Sequence, residues 1–207
     1  SEDLELSVYD LFMQAANKEQ IMQSMCPSSY ENIDILPATM GLATLDRSLG
    51  NKGGMGLVLK KALQAIKNEY DYVLIDCPPV LGVLMVNALA ASDRIIVPVQ
   101  TEFLALKGLD RMMKTLDIMQ GQQPSAFKYT IVPTMFDKRT KASILTYQKL
   151  LRAYGEAVWT AVIPIDTNFR NASNAQKVPS DFAPKSRGIL AYRDLLTYLV
   201  NLTTQSK

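Results

Sequence analysis

The sequence predicts an α/β protein in which a doubly wound, mostly parallel sheet is flanked by helices. Two observations predict it. Short apolar runs rich in β-branched residues alternate with longer stretches of helical period, the signature of βαβ units. The runs YVLI and RIIVPV are also continuously apolar, as parallel strands covered on both faces must be. A chain of 207 residues, 48% hydrophobic and 20% charged, is long enough to bury a sizeable core. No stretch is long enough to serve as a linker, so one domain over residues 1–207 is expected.

The expected strands are Ile33 to Leu36, Tyr72 to Ile75, Arg94 to Val99, Tyr129 to Val132 and the short Ala161 to Ile163. Between them lie helical patterns. Leu59, Leu63 and Ile66 share one face of the first long one. Phe103, Leu106, Leu109, Met112, Leu116 and Met119 recur at steps of three and four. Ile144, Leu151, Tyr154 and Val158 suggest a third, and Tyr192, Leu195, Leu199 and Leu202 close the chain. The methionines in these stripes read as core filler. Gly121 to Ser125 and Val178 to Pro184 read as loops from their Gly, Pro and Ser content.

Composition removes several function classes. There is no histidine, which excludes imidazole metal sites and His-based general base catalysis. Cys26 and Cys77 lie far apart, with no C-x-x-C spacing, so a zinc or redox motif is absent and reduced thiols are expected. No apolar run approaches the ~20 residues that span a bilayer. The acidic start SEDLELSVYD lacks the basic-then-apolar pattern of a signal peptide, and a cytoplasmic protein is expected. A net charge of +2 favours neither acidic nor basic partners.

The most informative stretch is Tyr70 to Gly82, YDYVLIDCPPVLG. An apolar strand ends in Asp76, followed at once by Cys77, Pro78 and Pro79. Ligands of doubly wound folds sit outside the carboxyl ends of the strands, so a carboxylate there is poised over the binding crevice. It can hold Mg²⁺ directly or through water, with nucleotide phosphates completing the shell. The two prolines stiffen the next segment and turn it off the strand direction. The plainer alternative is a carboxylate that only ends a strand or caps a helix. With no His to activate it, Cys77 reads as a small buried side chain.

From Tyr70 onward the sequence resembles the ParA/Soj family of partition ATPases, in the deviant-Walker group that also holds MinD. The matching stretches are YDYVLIDCPPVLG, VNALAASDRIIVPVQTEFLALKGL, TMFDKRT and SRGILAYRDLLTYL. A narrower likeness, carried by LSVYDLF, ILPATMGLATLDRSLGNKGGMGLVLKKAL and DCPPVLGVLMVNALAA, is to the ParA-like proteins encoded with chemotaxis genes in polarly flagellated bacteria. The resemblance implies a P-loop NTPase fold of ParA/MinD type with ATP and Mg²⁺ as cofactors. It also implies an ATP-dependent homodimer, partner proteins of a partition or chemotaxis system, and placement at the cell pole.

Carried over by residue, Asp76 matches the Walker B aspartate that orders Mg²⁺ through water, and Cys77 to Pro79 match the switch loop beside the γ-phosphate. Gln100, Thr101 and Glu102 match the segment bordering the nucleotide and the dimer face. Thr134, Met135 and Asp137 match the segment near the adenine, and Pro164 the proline of the IPRN loop across the base. Ile165 and Asp166 replace Arg and Asn of that loop, and Pro133 stands where many relatives place Asn. DNA-segregating relatives bind DNA through surface Lys and Arg. Here Lys138, Arg139 and Lys141 cluster, as do Arg170, Lys177, Lys185, Arg187 and Arg193. Arg170, Lys185 and Arg187 are the candidate contacts to DNA or a partner, and Arg170 falls where the family places such a basic residue.

The family's phosphate loop, K-G-G-x-G-K-S/T, does not occur in these 207 residues, nor does its D-x-D-P-Q/H strand end, whose aspartate acts on the attacking water. Ser1 to Phe12 aligns just beyond that second motif. The chain therefore reads as the C-terminal two-thirds of a ParA-type ATPase with its first strands missing and no catalytic residue of its own. It is expected to bind ATP poorly and to leave part of the sheet uncovered. NKGGMGLVL at Asn51 to Leu59 imitates the loop but has Leu57 and Val58 where Lys and Ser/Thr are required; it reads as a glycine-rich turn before a helix. Two functions compete: a nucleotide-switched positioning ATPase, and a nucleotide-independent scaffold that works by protein contacts alone. A metabolic ligase or reductase of the same superfamily is weaker, since the bridging cysteines of the iron–sulfur relatives are not here.

Overall fold

In the computed structural model the described residues are 7–14, 16–49, 55–77, 82–121 and 126–204. They fall into two compact units, Ser1–Asp93 and Arg94–Lys207.

The first unit contains α1 (Val8–Met13), α2 (Lys18–Gln23), β1 (Cys26–Pro27), β2 (Asp34–Ile35), α3 (Leu42–Leu49), a 3₁₀ turn (Met55–Leu57), α4 (Val58–Ala65) and α5 (Val83–Ala91). Reciprocal caps start the short helices. The Asp10 carboxylate accepts from the Ser7 backbone N–H at 2.8 Å, and Asn17 and Gln20 exchange side-chain and backbone bonds at 2.9 and 3.0 Å. Leu11, Ile21 and Ile66 form one buried cluster against Val58, Ala62 and Tyr70; Phe12 and Leu45 form another. Of the expected glycine-rich turn Lys52 to Gly56, residues 52–54 lie outside the described residues, and Met55 and Gly56 begin the 3₁₀ turn that leads into α4.

Two expected strands differ here. Ile33 to Leu36 supplies only the two-residue β2, which pairs antiparallel with β1 and is exposed. Tyr72 to Ile75 forms no regular element and joins no ladder among the described residues, and Tyr72 and Leu74 are 65% and 90% exposed. An apolar run records a capacity to be buried; a strand also needs a neighbour to take its backbone hydrogen bonds, and none is described beside this one.

The second unit runs β3 (Ile95–Gln100), α6 (Phe103–Gln120), β4 (Tyr129–Thr134), α7 (Lys141–Tyr154), α8 (Asn168–Asn174), α9 (Pro179–Phe182) and α10 (Arg187–Thr204). Strands β3 and β4 pair in parallel from Ile95–Tyr129 to Gln100–Thr134, joined by the α6 crossover. The helix-flanked parallel pair is the expected α/β architecture. The edge of β4 is continued by two single bridges, Ile131–Val158 and Phe136–Pro164. They straddle the expected strand Ala161 to Ile163, which is not formed because the chain bends outward at the exposed Thr160 and Ala161. The core here joins Val132, Trp159, Ile163 and Leu195.

Helix α6 buries Leu109, Met113 and Leu116, so Met113 rather than Met112 faces the core, and Phe103 is exposed. In α7 the buried positions are Ser143, Thr146 and Leu150; Ile144 points outward, and Val158 is buried beyond the helix end. The expected loop Val178 to Pro184 contains the one-turn α9, with Pro179 in its first turn, where no N–H is needed. Of the expected loop Gly121 to Ser125, residues 122–125 lie outside the described set. No described helix is long and apolar enough to cross a membrane.

Candidate functional site

The candidate residues fall in both units. In the first, Asp76 and Cys77 end the irregular segment 72–77 and both are exposed. The expectation of a buried Cys77 is corrected: its neighbours do not close over the thiol. Partial desolvation, and then the adjoining Asp76 carboxylate, push that thiol above its ordinary pKa, which favours the protonated form. Pro78 and Pro79 lie outside the described residues. No three His, Cys, Asp or Glu side chains converge among the described residues. The chain thus offers Asp76 as a lone solvent-facing carboxylate, which fits Mg²⁺ that keeps several waters and takes phosphate oxygens, and does not fit an all-protein cage.

In the second unit the C-terminal ends of β3 and β4 are tied by a buried hydroxyl knot. Thr101, 1% exposed, donates its backbone N–H to the Thr134 carbonyl at 3.0 Å. Its Oγ1 lies 3.3 and 3.4 Å from the Thr134 and Met135 carbonyls and 2.6 Å from Ser143 Oγ. Ser143 Oγ in turn accepts from the Asp137 N–H at 3.1 Å. Gln100 and Glu102 flank the knot, exposed, with the Glu102 N–H on the Gln100 carbonyl and Glu102 at the N-cap of α6. Met135 adopts φ 53°, a left-handed turn that a side-chained residue enters only when its surroundings force it.

Asp137 is clasped by Arg139. Its Oδ1 accepts from the Arg139 backbone N–H at 3.0 Å and from Nε at 2.9 Å; Oδ2 accepts from Nη2 at 2.7 Å. The Arg139 side-chain bond, then its backbone bond, then the charges of Arg139 and Arg187 hold the carboxyl down to about 2. Arg187, at the start of α10, is thereby placed beside this loop.

Across from it runs the loop 163–168. Phe136 donates to the Ile163 carbonyl and accepts from the Ile165 N–H, both at 3.1 Å, which brings Pro164 alongside Thr134, Met135 and Asp137. Asp166 anchors that loop to α10: its carboxylate accepts from the backbone N–H groups of Gly188 and Asn168 and from Asn168 Nδ2, each at 2.9 Å. Burial raises its pKa, but the Gly188 and Asn168 backbone bonds, with those of the Ser186 and Asn168 side chains, outweigh that and leave it below the ordinary range. Arg170 on α8 and Lys185 before α10 are both exposed.

Sequence reasoning named Thr101 and Asp166 through matched segments but not as parts that hold this site together, and it missed Ser143. For Ser143 the available signal was the helix-start pattern Thr140-x-x-Ser143, in which Thr140 Oγ1 accepts from Ser143 N at 3.4 Å.

An AAA-domain family model matches residues 1–129. The sporulation initiation inhibitor protein Soj of Bacillus subtilis is 35% identical over 194 residues, which cover 93% of this chain and 76% of Soj. The chain belongs to the ParA/Soj family of ATPases. The chromosome partitioning protein ParA of Caulobacter vibrioides is 32% identical over 198 residues, 94% of this chain and 73% of that protein. Among solved structures, cobyrinic acid a,c-diamide synthase from Mycobacterium smegmatis, with bound ADP and magnesium, superposes with a TM-score of 0.79 at 28% identity. That match covers 100% of this chain and 76% of the synthase.

Proposed function

We propose that this chain works within a nucleotide-switched positioning ATPase, with ATP and Mg²⁺ as the switch ligands. The observation that supports the reading is the bridge between Phe136 and Pro164, which holds the segments 134–137 and 163–166 side by side, so that both can present groups to one ligand. In this reading Gln100 and Glu102 line the nucleotide and dimer side, and Asp76 orders Mg²⁺ through water while Cys77, Pro78 and Pro79 follow the γ-phosphate. When bound, the magnesium neutralises phosphate charge. The chain's own groups orient the base and hold the loops in register.

The cargo is a chemotaxis array at the cell pole or a DNA molecule in segregation; the subfamily likeness favours the first, and the name of the similar chromosome partitioning protein ParA the second. Arg170, Lys185 and Arg187 are the contacts to DNA or to a partner protein. Replacing Asp76 with Asn in the encoded polypeptide should lower Mg²⁺-dependent ATP hydrolysis about 10- to 100-fold, as for a group that acts through metal-bound water. Hydrolysis at the unsubstituted rate would refute the magnesium role.

The scaffold reading gains support only if the encoded polypeptide, and not just these 207 residues, lacks a lysine-bearing phosphate loop. We infer that these residues by themselves do not hydrolyse ATP. Calorimetric titration with ATP and Mg²⁺ should show no saturation in the micromolar range, and micromolar binding would overturn the assignment of the phosphate site. If the encoded polypeptide shows neither ATP binding nor hydrolysis, the scaffold reading replaces the switch.

A further inference from the structure

We propose that the outward face of α6 is a docking surface for an acidic, amphipathic helix of a partner protein. The inference stands on charge and shape and does not depend on nucleotide.

Leu104, Lys107, Arg111, Lys114 and Ile118 follow one another at steps of three, four, three and four. That spacing draws a single stripe along a helix, the seam by which one helix meets another. All five side chains point away from the core, whose contacts come from Leu109, Met113 and Leu116 on the other side. The two ends of the stripe are apolar and strongly exposed, Leu104 at 73% and Ile118 at 71%. Isolated exposed hydrophobes are ordinary. Two that close a straight run of cations at both ends are a pattern.

Between them the cations have no acidic partner. Among the described residues none of Lys107, Arg111 and Lys114 forms a salt bridge. The aspartates of α6, Asp110 and Asp117, lie to the side: the Tyr154 hydroxyl of α7 donates to Asp110 at 2.9 Å, and both aspartate charges act on Tyr154. The helix therefore segregates its acids toward α7 and its bases along the open stripe. Beside the stripe sits Gly108, where an added Cβ would meet nothing within 4 Å. Glycine is a costly residue for a helix interior in open solvent; there it leaves a flat place where a second helix can approach closely.

The occupant follows from these features. A partner with carboxylates opposite the three cations and apolar side chains at either end complements the stripe, which spans about 21 Å at 1.5 Å per residue. A second copy meeting this face with its own would set the cations against each other, because a two-fold interface pairs a patch with itself. Duplex DNA would satisfy the cations and leave Leu104 and Ile118 without apolar contact.

The test uses the full chain and a labelled helical peptide of about 20 residues, with glutamates at the seam and leucines at its ends, read by fluorescence anisotropy. A peptide with lysine for glutamate, a DNA duplex and phosphatidylserine vesicles serve as the other arms. Joint K107E, R111E and K114E replacement should weaken the acidic peptide more than about tenfold. At unchanged charge, L104S with I118S should weaken it severalfold. Gly108→Gln should weaken it too while the melting temperature holds or rises, a separation that a folding defect cannot give. Reversal of Lys138, which precedes α7, and Lys141, at the start of that helix, should leave it unchanged. The proposal is overturned if the K138E/K141E pair weakens the peptide as much as the α6 triple reversal. Insensitivity to L104S with I118S also overturns it. So does binding of the duplex or the vesicles through this face in preference to the peptide.

Discussion

Replacing Asn87 with Ala should loosen the start of α4 without touching any proposed ligand contact. Asn87 on α5 is 0% exposed and fully engaged. Its Nδ2 donates to the Met55 carbonyl at 2.6 Å and to the Val83 carbonyl at 2.8 Å, and its Oδ1 accepts from the Leu59 N–H at 3.0 Å. Val83 lies one turn earlier in the same helix, so its carbonyl keeps an acceptor role there. The Met55 carbonyl and the Leu59 N–H, at the 3₁₀ turn and the first turn of α4, lose this side-chain partner. Both residues are half-buried, which puts each loss near the low end of the ~1–3 kcal/mol cost of an unsatisfied group. Truncating the amide also leaves a small void. The sum is about 2–4 kcal/mol, a large share of the ~5–15 kcal/mol that holds a domain folded. For a chain of this size that lowers the melting temperature by roughly 5–15 °C. Far-UV circular dichroism follows the melt, and hydrogen exchange at the Leu59 amide locates the loss. A change below ~0.5 kcal/mol, or unaltered exchange at Leu59, would refute the reasoning.

Three further outcomes follow from the second unit. A Cβ at Gly188 would lie 2.3 Å from Phe169 Cε2 and 3.0 Å from the Asp166 Cβ, so Gly188→Ala should destabilise by ~1–3 kcal/mol in urea unfolding. Asp166→Ala removes the acceptor that ties the 163–168 loop to α10 and should cost ~1–2 kcal/mol, as for a lost helix cap. Since the folded pKa of Asp166 is depressed, its contribution is present above the unfolded value and fades as pH falls through the folded one; the Ala variant should lack that part of the acid sensitivity. For Asp137, held near 2, the window runs from the unfolded carboxylate value of ~3.9 down to about 2. Carbon-detected NMR should find it ionised there, and Arg139→Gln should raise it toward the ordinary carboxylate range, with the backbone bond of residue 139 and the Arg187 charge still holding it below.

Much of the site was legible because its signals are local. Asp76, Cys77, Pro78 and Pro79 form a contiguous motif, and TMFDKRT carries Thr134, Met135 and Asp137 in one run. The parallel pair β3–β4 was readable within two residues at either end, since its apolar runs are long and its crossover helix is strongly periodic. Exposure was not readable. Leu74 sits in an apolar run that sequence pattern assigns to a buried strand, yet it is 90% exposed. Cys77, small and apolar by type, is exposed as well. Burial belongs to the neighbours a residue finds, and a neighbour distant in sequence leaves no local trace.

The residue order alone determined which segments favour strand or helix and where a carboxylate meets two prolines, because those depend on side chains a few positions apart. Tertiary structure alone decided that Thr101 meets Ser143 across 42 positions and that Asp166 meets Gly188 across 22. It also decided that the acids of α6 turn toward α7 while its bases face outward. A hydrogen bond needs its atoms within about 3 Å of one another, and only the folded path of the chain brings such distant residues that close.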